Sequence, residues 1–271
     1  MMSTPTVPKP APCPVQPENI PVAMKARHQW VCWRWTWKKA TKKRTGKWDK
    51  PPIDARTGRP ASSTDPDTWC SFDEAYAAYL DPQNGYDGIG YVFSGEEGDF
   101  LGVDLDKCRD PVTGKLRPWS DEQRACKHWE EAVPEPGEII ELLRTYAEVS
   151  PSQTGVKLIV QGTIPKGIKH GSVEIYRVGR YFTVTGHRLP GGAEGICDCA
   201  ALGEVYRRFN ALQAKAKPRR ENARSSRQPG PRSQGSTVLP TVDQVMAGCD
   251  NAGNGGKFRR LFDGDIGGYP S

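Results

Sequence analysis

Alternation of apolar and polar residues is the clearest signal along this chain, and it marks several strands. In Phe100–Asp106, Val103 and Leu105 fall on one side of an extended backbone while Asp104 and Asp106 fall on the other. Val173–Tyr176 repeats the pattern, with Val173 and Ile175 inward and Glu174 and Tyr176 outward. Tyr146–Val149, Val156–Gly162 and Arg180–Thr185 read as further strands, the last expected to pair with Val173–Tyr176 through the turn at Val178-Gly179. Gly88–Phe93 and Phe100–Asp106, joined by Ser-Gly-Glu-Glu-Gly-Asp, carry a hairpin signal. Upstream, one strand from Gln29 places Val31, Trp33, Trp35 and Trp37 on a face that reads as core, and Cys32, Arg34 and Thr36 on the other.

Helical periodicity fills the gaps. Ser71 and Glu74 form a Ser-x-x-Glu capping box that opens a helix to about Leu80, with Phe72, Ala75, Tyr76 and Tyr79 as its apolar stripe. Ser120 and Gln123 start a second helix, predicted through Trp129 to about Val133. A short helix near Glu138–Leu143 follows a Pro-rich break, and another around Cys199–Gln213 closes the region. Strands mixed with helices predict an α/β (α+β) domain over residues 21–213. Residues 1–20 read as a disordered Pro-rich leader. Residues 214–240, rich in Arg, Ser, Pro and Gly, read as a flexible basic linker. Residues 241–271 regain apolar side chains but are too few to fold alone, and read as the truncated start of a C-terminal helical domain.

Charge adds a partner class. The net charge is +6, concentrated in Lys38–Lys50 and Lys215–Arg232, which favours a polyanion, although a solvated basic face gives the same clustering. No apolar run approaches the ~20 residues that span a bilayer, and the N-terminus lacks the apolar stretch of a signal peptide. A cytoplasmic protein with no membrane partner is expected. The eight cysteines contain no Cys-x-x-Cys pair and the four histidines fall in no zinc-ligand spacing, so reduced thiols and no zinc are expected. Gly255-Gly256-Lys257 is not a P-loop: Asn251 stands at a required glycine, and Phe258 at the Mg²⁺-binding hydroxyl position.

Candidate chemistry begins with Asp104 and Asp106. Two carboxylates one residue apart repel unless a cation sits between them, and hard oxygen ligands suit Mg²⁺ or Mn²⁺; the bland alternative is a solvated strand end. Glu174, on a like-patterned strand, adds the third acidic group that a divalent-metal cluster needs, or else makes a surface salt bridge. Between them lies Ser150-Pro-Ser-Gln-Thr-Gly-Val-Lys. The backbone amides up to Gly155 and the hydroxyls of Ser150, Ser152 and Thr154 suit a phosphate, with Lys157 supplying charge; an ordinary hairpin loop is the alternative. Arg180, His187 and Arg188 are further candidates for phosphate contacts. Arg34, Lys47 and Lys50, interleaved with tryptophans, are candidates for contacts to nucleic acid.

In this order and spacing, these segments resemble the primase-polymerases of the archaeo-eukaryotic primase superfamily, above all the phage- and plasmid-encoded branch. The matching stretches are Trp-x-Trp then Lys-Trp-Asp-Lys-Pro-Pro, Asp-Gly-Ile-Gly-Tyr-Val-Phe and Gly-Val-Asp-Leu-Asp-Lys-Cys. Tyr-Ala-Glu-Val-Ser-Pro-Ser-Gln-Thr-Gly-Val-Lys and Val-Glu-Ile-Tyr with Arg-Tyr-Phe-Thr-Val-Thr-Gly-His complete the set, which covers about Pro21–Pro190. The resemblance implies an RRM-like antiparallel sheet carrying the acidic residues, with a smaller N-terminal α/β part. It implies two Mg²⁺ or Mn²⁺ ions on Asp104, Asp106 and Glu174, and an incoming triphosphate on the Ser150–Gly155 loop with Lys157 and Arg180. The implied partners are a single-stranded DNA template, nucleoside triphosphates and a replicative helicase. The chain departs from the family where Lys157 takes a histidine's place and Gln153 that of a usual glycine. A lysine binds phosphate as a point charge and stays protonated. Two readings from other classes stand beside this one: a non-catalytic, single-stranded-DNA-binding replication module that recruits a helicase, and an Asp-x-Asp glycosyltransferase.

Overall fold

The computed structural model describes residues 7–216, apart from 12, 42–43 and 125–133. The described strands are β1 (Trp30–Trp33), β2 (Thr36–Lys38), β3 (Lys47–Asp49), β4 (Pro52–Ile53), β5 (Gly88–Ser94), β6 (Phe100–Leu105), β7 (Ala147–Val149), β8 (Val156–Gln161), β9 (Ile168–His170), β10 (Val173–Tyr176) and β11 (Val178–Val184). The helices are α1 (Val22–Lys25), α2 (Phe72–Leu80), α3 (Asp121–Arg124), α4 (Pro136–Leu143) and α5 (Leu202–Ala216). This is the mixed α/β composition that the sequence predicts.

Five strands form one antiparallel sheet in the order β7-β8-β6-β10-β9. Val103, Leu105, Val156, Leu158, Val173 and Ile175 on one face are fully buried with Ile139 and Leu143 of α4 and with Val205 and Phe209 of α5. A second sheet has the order β11-β5-β1-β4. Its Trp30, Tyr91, Phe93 and Phe182 share a core with Phe72 and Ala75 of α2, and with Phe100, Tyr146 and Ile159 from the five-stranded sheet. Gly102 makes this approach possible: a Cβ there would lie 2.3 Å from the Phe182 ring and 2.6 Å from that of Phe93. The capping box on α2 is present, with Ser71 and Glu74 exchanging hydrogen bonds.

Both expected hairpins are corrected. β5 and β6 do not pair with each other, nor do β10 and β11: β5 pairs with β11 in one sheet, and β6 with β10 in the other. Each loop carries the chain from sheet to sheet. The Asp99 carboxylate fastens the first crossing, accepting from Ser94 N (2.8 Å), Gln29 Nε2 (3.1 Å) and the Tyr91 hydroxyl (2.9 Å). At the second crossing the Arg177 guanidinium donates to Glu96 O (3.2 Å), which holds the two crossings together.

The strand expected from Gln29 through Trp37 breaks after Trp33, where Trp35 N donates to the Asp87 carboxylate (2.7 Å). β1 is buried on both faces, so its alternation carries no solvent side, and β2 leaves to form a separate ribbon with β3. The expected disordered leader is also corrected. Cys13 and Val15 are buried, and Gln16 N donates to Thr185 O (2.9 Å), so the fold begins ahead of Pro21. The predicted helix beyond Arg124, the remainder of the basic linker and residues 241–271 lie outside the described residues. No described helix is long and apolar enough to cross a membrane.

Candidate active site

Residues opposite one another on neighbouring strands point to the same face. The register of the five-stranded sheet therefore builds a transverse row: Glu148 opposite Lys157, Lys157 opposite Asp104, Asp104 opposite Glu174, and Glu174 opposite Lys169. Every member lies on the face away from α4 and α5, one residue out of phase with the apolar set. The row reads acid, base, acid, acid, base.

Its centre is the Asp104–Glu174 pair. The Lys157 ammonium lies 3.2 Å from Asp104 Oδ2 and 4.1 Å from the centroid of the Phe182 ring, with its side chain 9% exposed. It neutralises one carboxylate from below. Lys169 pairs with Glu174 from the edge strand, with its own side chain 65% exposed. Asp104 Oδ1 is buried without a hydrogen-bond partner among the described residues. Asp106, just beyond β6, reaches solvent, yet desolvation raises its pKa. The Asp104 carboxylate adds to that rise, and Lys157, Lys50 and Lys169 oppose it.

The Ser150–Gly155 loop lies against the end of β6. A Cβ on Gly155 would come within 2.8 Å of Leu105 O, so only glycine lets the loop close there. The Ser150 and Ser152 hydroxyls are 3.1 Å apart, those of Ser152 and Thr154 are 2.9 Å apart, and Gly155 N donates to Ser150 Oγ (3.1 Å). Gln153 takes a left-handed φ of 61°. The Arg109 guanidinium holds its carbonyl at 2.8 Å. A line of three hydroxyls thus runs along a loop that closes against the end of β6.

Lys50, expected to meet nucleic acid, belongs to this site. Desolvation, then Lys157, lowers its pKa to about 8, while Asp104, Asp106 and Asp49 pull it back up. Its ammonium lies 4.8 Å from the Trp35 ring centroid. Arg180 is exposed near the start of β11 with its guanidinium 4.8 Å from the ring of Tyr176, which shares a face with Glu174. Lys47 is exposed on the β2–β3 ribbon. Arg34 is not brought to the row: its guanidinium stacks on Tyr86 at 5.1 Å. His187 binds Pro14 O (2.6 Å) and Arg188 pairs with Glu194 (3.1 Å), so both side chains are engaged with the protein itself.

Sequence reasoning missed Glu148. It is 1% exposed and accepts from Tyr146 Oη (2.8 Å), Thr185 N (3.0 Å) and Gly186 N (2.9 Å). Burial raises its pKa to about 7 despite these donors and Lys157. The signal was available, because Ala-Glu-Val has the same acid-between-apolar pattern as Val-Asp-Leu and Val-Glu-Ile. Phe182 was read only as a strand residue, although it forms the wall beneath Lys157.

Asp104 and Glu174 stand side by side, with Asp106 two residues further along the chain and the Ser150–Gly155 loop closing against Leu105 between them. The chain is similar in sequence to a phage DNA primase-polymerase. That relative, from Nitratiruptor phage NrS-1, is 30% identical over 184 residues, which cover 65% of this chain and 22% of the relative. The chain thus spans less than a quarter of the relative's length. No family model matches the sequence.

Among the described residues, no three His, Cys, Asp or Glu side chains are gathered closely enough to hold a metal ion as they stand. Lysines occupy that role beside Asp104 and Glu174. The unpartnered Asp104 Oδ1 and the Asp106 carboxylate, whose proton affinity is raised by desolvation and then by its acidic neighbour, still fit a hard cation.

Proposed function

We propose that this chain performs template-directed nucleotidyl transfer, as a DNA primase or polymerase serving replication of a phage, plasmid or other mobile element. The observation that carries the reading is the direct opposition of Asp104 and Glu174 across β6 and β10, with the Ser150–Gly155 loop packed against the end of β6. The similarity to a phage DNA primase-polymerase supports it, as does a five-stranded antiparallel sheet with helices on the opposite face.

Asp104, Asp106 and Glu174 are the residues to hold divalent Mg²⁺ or Mn²⁺. Bound there, such a pair supplies activation of the attacking 3′-hydroxyl and charge compensation for the leaving pyrophosphate. The chain's own residues do the rest. The Ser150, Ser152 and Thr154 hydroxyls now bond one another, and each can turn its proton to a phosphate oxygen without breaking the backbone of the loop. Lys157 and Lys50 set positive charge beside the carboxylates, where a triphosphate's charge concentrates, and Arg180 adds charge on β11. Phe182 and Trp35 present ring faces to the two ammonium groups and limit their hydration.

The test is incorporation of labelled nucleotides on single-stranded templates with Mg²⁺ or Mn²⁺, comparing the wild type with Glu174→Gln. Incorporation that is lost with chelator and strongly reduced in the variant is expected. Metal-independent incorporation would overturn the reading. A second reading, a non-catalytic module that binds single-stranded DNA and recruits a helicase, is favoured by one observation: lysines already pair with Asp104 and Glu174. Template binding without incorporation at ample Mn²⁺ is its signature.

A further inference from the structure

The β2–β3 ribbon has no strand pairing with either sheet and is left unused by the chemistry above. Both of its legs are rooted at the site. Trp35 directly precedes β2 and Lys50 directly follows β3, the Lys50 ammonium lies 4.8 Å from the centroid of the Trp35 ring, and the Tyr181 hydroxyl donates to Lys50 O.

Across residues 36–50 the sequence carries seven lysines and arginines against one carboxylate, Asp49. Lys38 stands directly opposite Lys47 in the ladder, a pairing that destabilises a two-stranded ribbon. Asp49 relieves only part of this through its ion pair with Lys38. Lys39, Arg44 and Lys47 are exposed. The ribbon keeps its shape by another means. Trp37 and Trp48 are paired across it with ring centroids 5.4 Å apart, and Gly46, whose Cβ would lie 2.5 Å from the Trp37 ring, makes room for that indole.

We infer that the β2–β3 ribbon grips the phosphate backbone of the nucleic-acid strand that enters the site, through Lys39, Arg44 and Lys47. The inference deepens the proposed function and rests on it for the direction of the strand. The like charge that Asp49 leaves uncompensated on this ribbon fits a polyanion. The ribbon's two tryptophan rings are folded against each other, and the sequence between its strands, Lys-Ala-Thr-Lys-Lys-Arg-Thr-Gly, holds no large apolar residue, which disfavours insertion into a lipid surface. The carboxylates of the site repel phosphate, and Lys50 at the root of the ribbon sets one compensating cation beside them.

The experiment is fluorescence anisotropy with a labelled single-stranded oligonucleotide across a salt series, on the full chain. The triple variant Lys39→Gln/Arg44→Gln/Lys47→Gln is set against Arg59→Gln/Lys115→Gln/Lys166→Gln, three exposed cations on other surfaces. The ribbon triple is expected to bind about tenfold or more weakly at 0.1 M salt. Its log K against log salt slope should be shallower by about 2, at ~0.7 per lost phosphate contact. The charge-preserving Lys39→Arg/Arg44→Lys/Lys47→Arg is expected to bind like the wild type. An unchanged slope, or equal losses in both glutamine triples, would overturn the grip. Should the ribbon triple fold poorly, the single Lys39→Gln and Lys47→Gln variants each report the same slope change at about 0.7. Nucleotide incorporation measured on the same proteins separates the claims. Wild-type incorporation with no ribbon effect on binding sinks the grip alone, and a ribbon effect in a protein that never incorporates sinks the polymerase reading alone.

Discussion

The two faces of the five-stranded sheet are made by the same strands, one residue out of phase, and they differ completely. On one face Val103, Leu105, Val156, Leu158, Val173 and Ile175 are sealed under α4 and α5. On the other, Glu148, Lys157, Asp104, Glu174 and Lys169 cross the sheet in register. The apolar face fixes the register, since a slip of one residue would exchange the two sets. The charged face inherits that precision. A row of like and unlike charges that would not assemble by its own attraction is held in place by the packing behind it.

This contrast can be broken from the apolar side first. Val103→Asp puts an unpaired carboxylate among fully buried aliphatic groups and is expected to destabilise by more than about 4 kcal/mol, read by denaturant unfolding. On the charged face, Lys157→Met leaves Asp104 uncompensated in a site where both partners are mostly buried, at a cost of about 3 kcal/mol. Adding Asp104→Asn should recover most of that loss, because the uncompensated charge then disappears; no recovery would show that Lys157 acts through packing alone.

Glu148 gives the row a pH signature. Its folded pKa of about 7 lies above its ordinary value of 4.5, so the folded state binds more protons in that interval. Stability is therefore expected to fall as pH rises from about 4.5 to about 7, by something on the order of 3 kcal/mol. Glu148→Gln should flatten the profile across that window, and an unchanged slope would place the titration elsewhere. The smallest effect belongs to the edge of the row. Lys169→Gln removes an ion pair with one side chain largely in water and should cost below about 1 kcal/mol, still less at high salt. Near-equal costs for Lys157→Met and Lys169→Gln would mean that burial does not grade the row.

Much of the charged face was legible because alternation is a local property. Val-Asp-Leu-Asp and Val-Glu-Ile-Tyr announce which side chains share a face, and the Ser71–Glu74 box announces a helix start. Strand partners were not legible. Ser94–Asp99 and Val178-Gly179 look like hairpin turns, yet the chain crosses between sheets at Ser94–Asp99 and at Arg177, because the ties that decide it, Asp99 to Gln29 and Arg177 to Glu96, join residues far apart in sequence. The tryptophan strand misled for a different reason: with both faces of β1 buried, alternation no longer reports a solvent side. Lys50 reads as one cation in a basic turn until the fold brings it beside Asp104, and Glu148 reads as a strand residue until Thr185 and Gly186 close over it.

The central claim is that the Asp104–Glu174 pairing, with Asp106, is a nucleotidyl-transfer centre. The most direct test measures template binding and nucleotide incorporation side by side in Asp104→Ala/Asp106→Ala. The account predicts incorporation at background with template binding kept, since the grip on the strand lies in the β2–β3 ribbon. Incorporation at the wild-type rate in that double variant would contradict it.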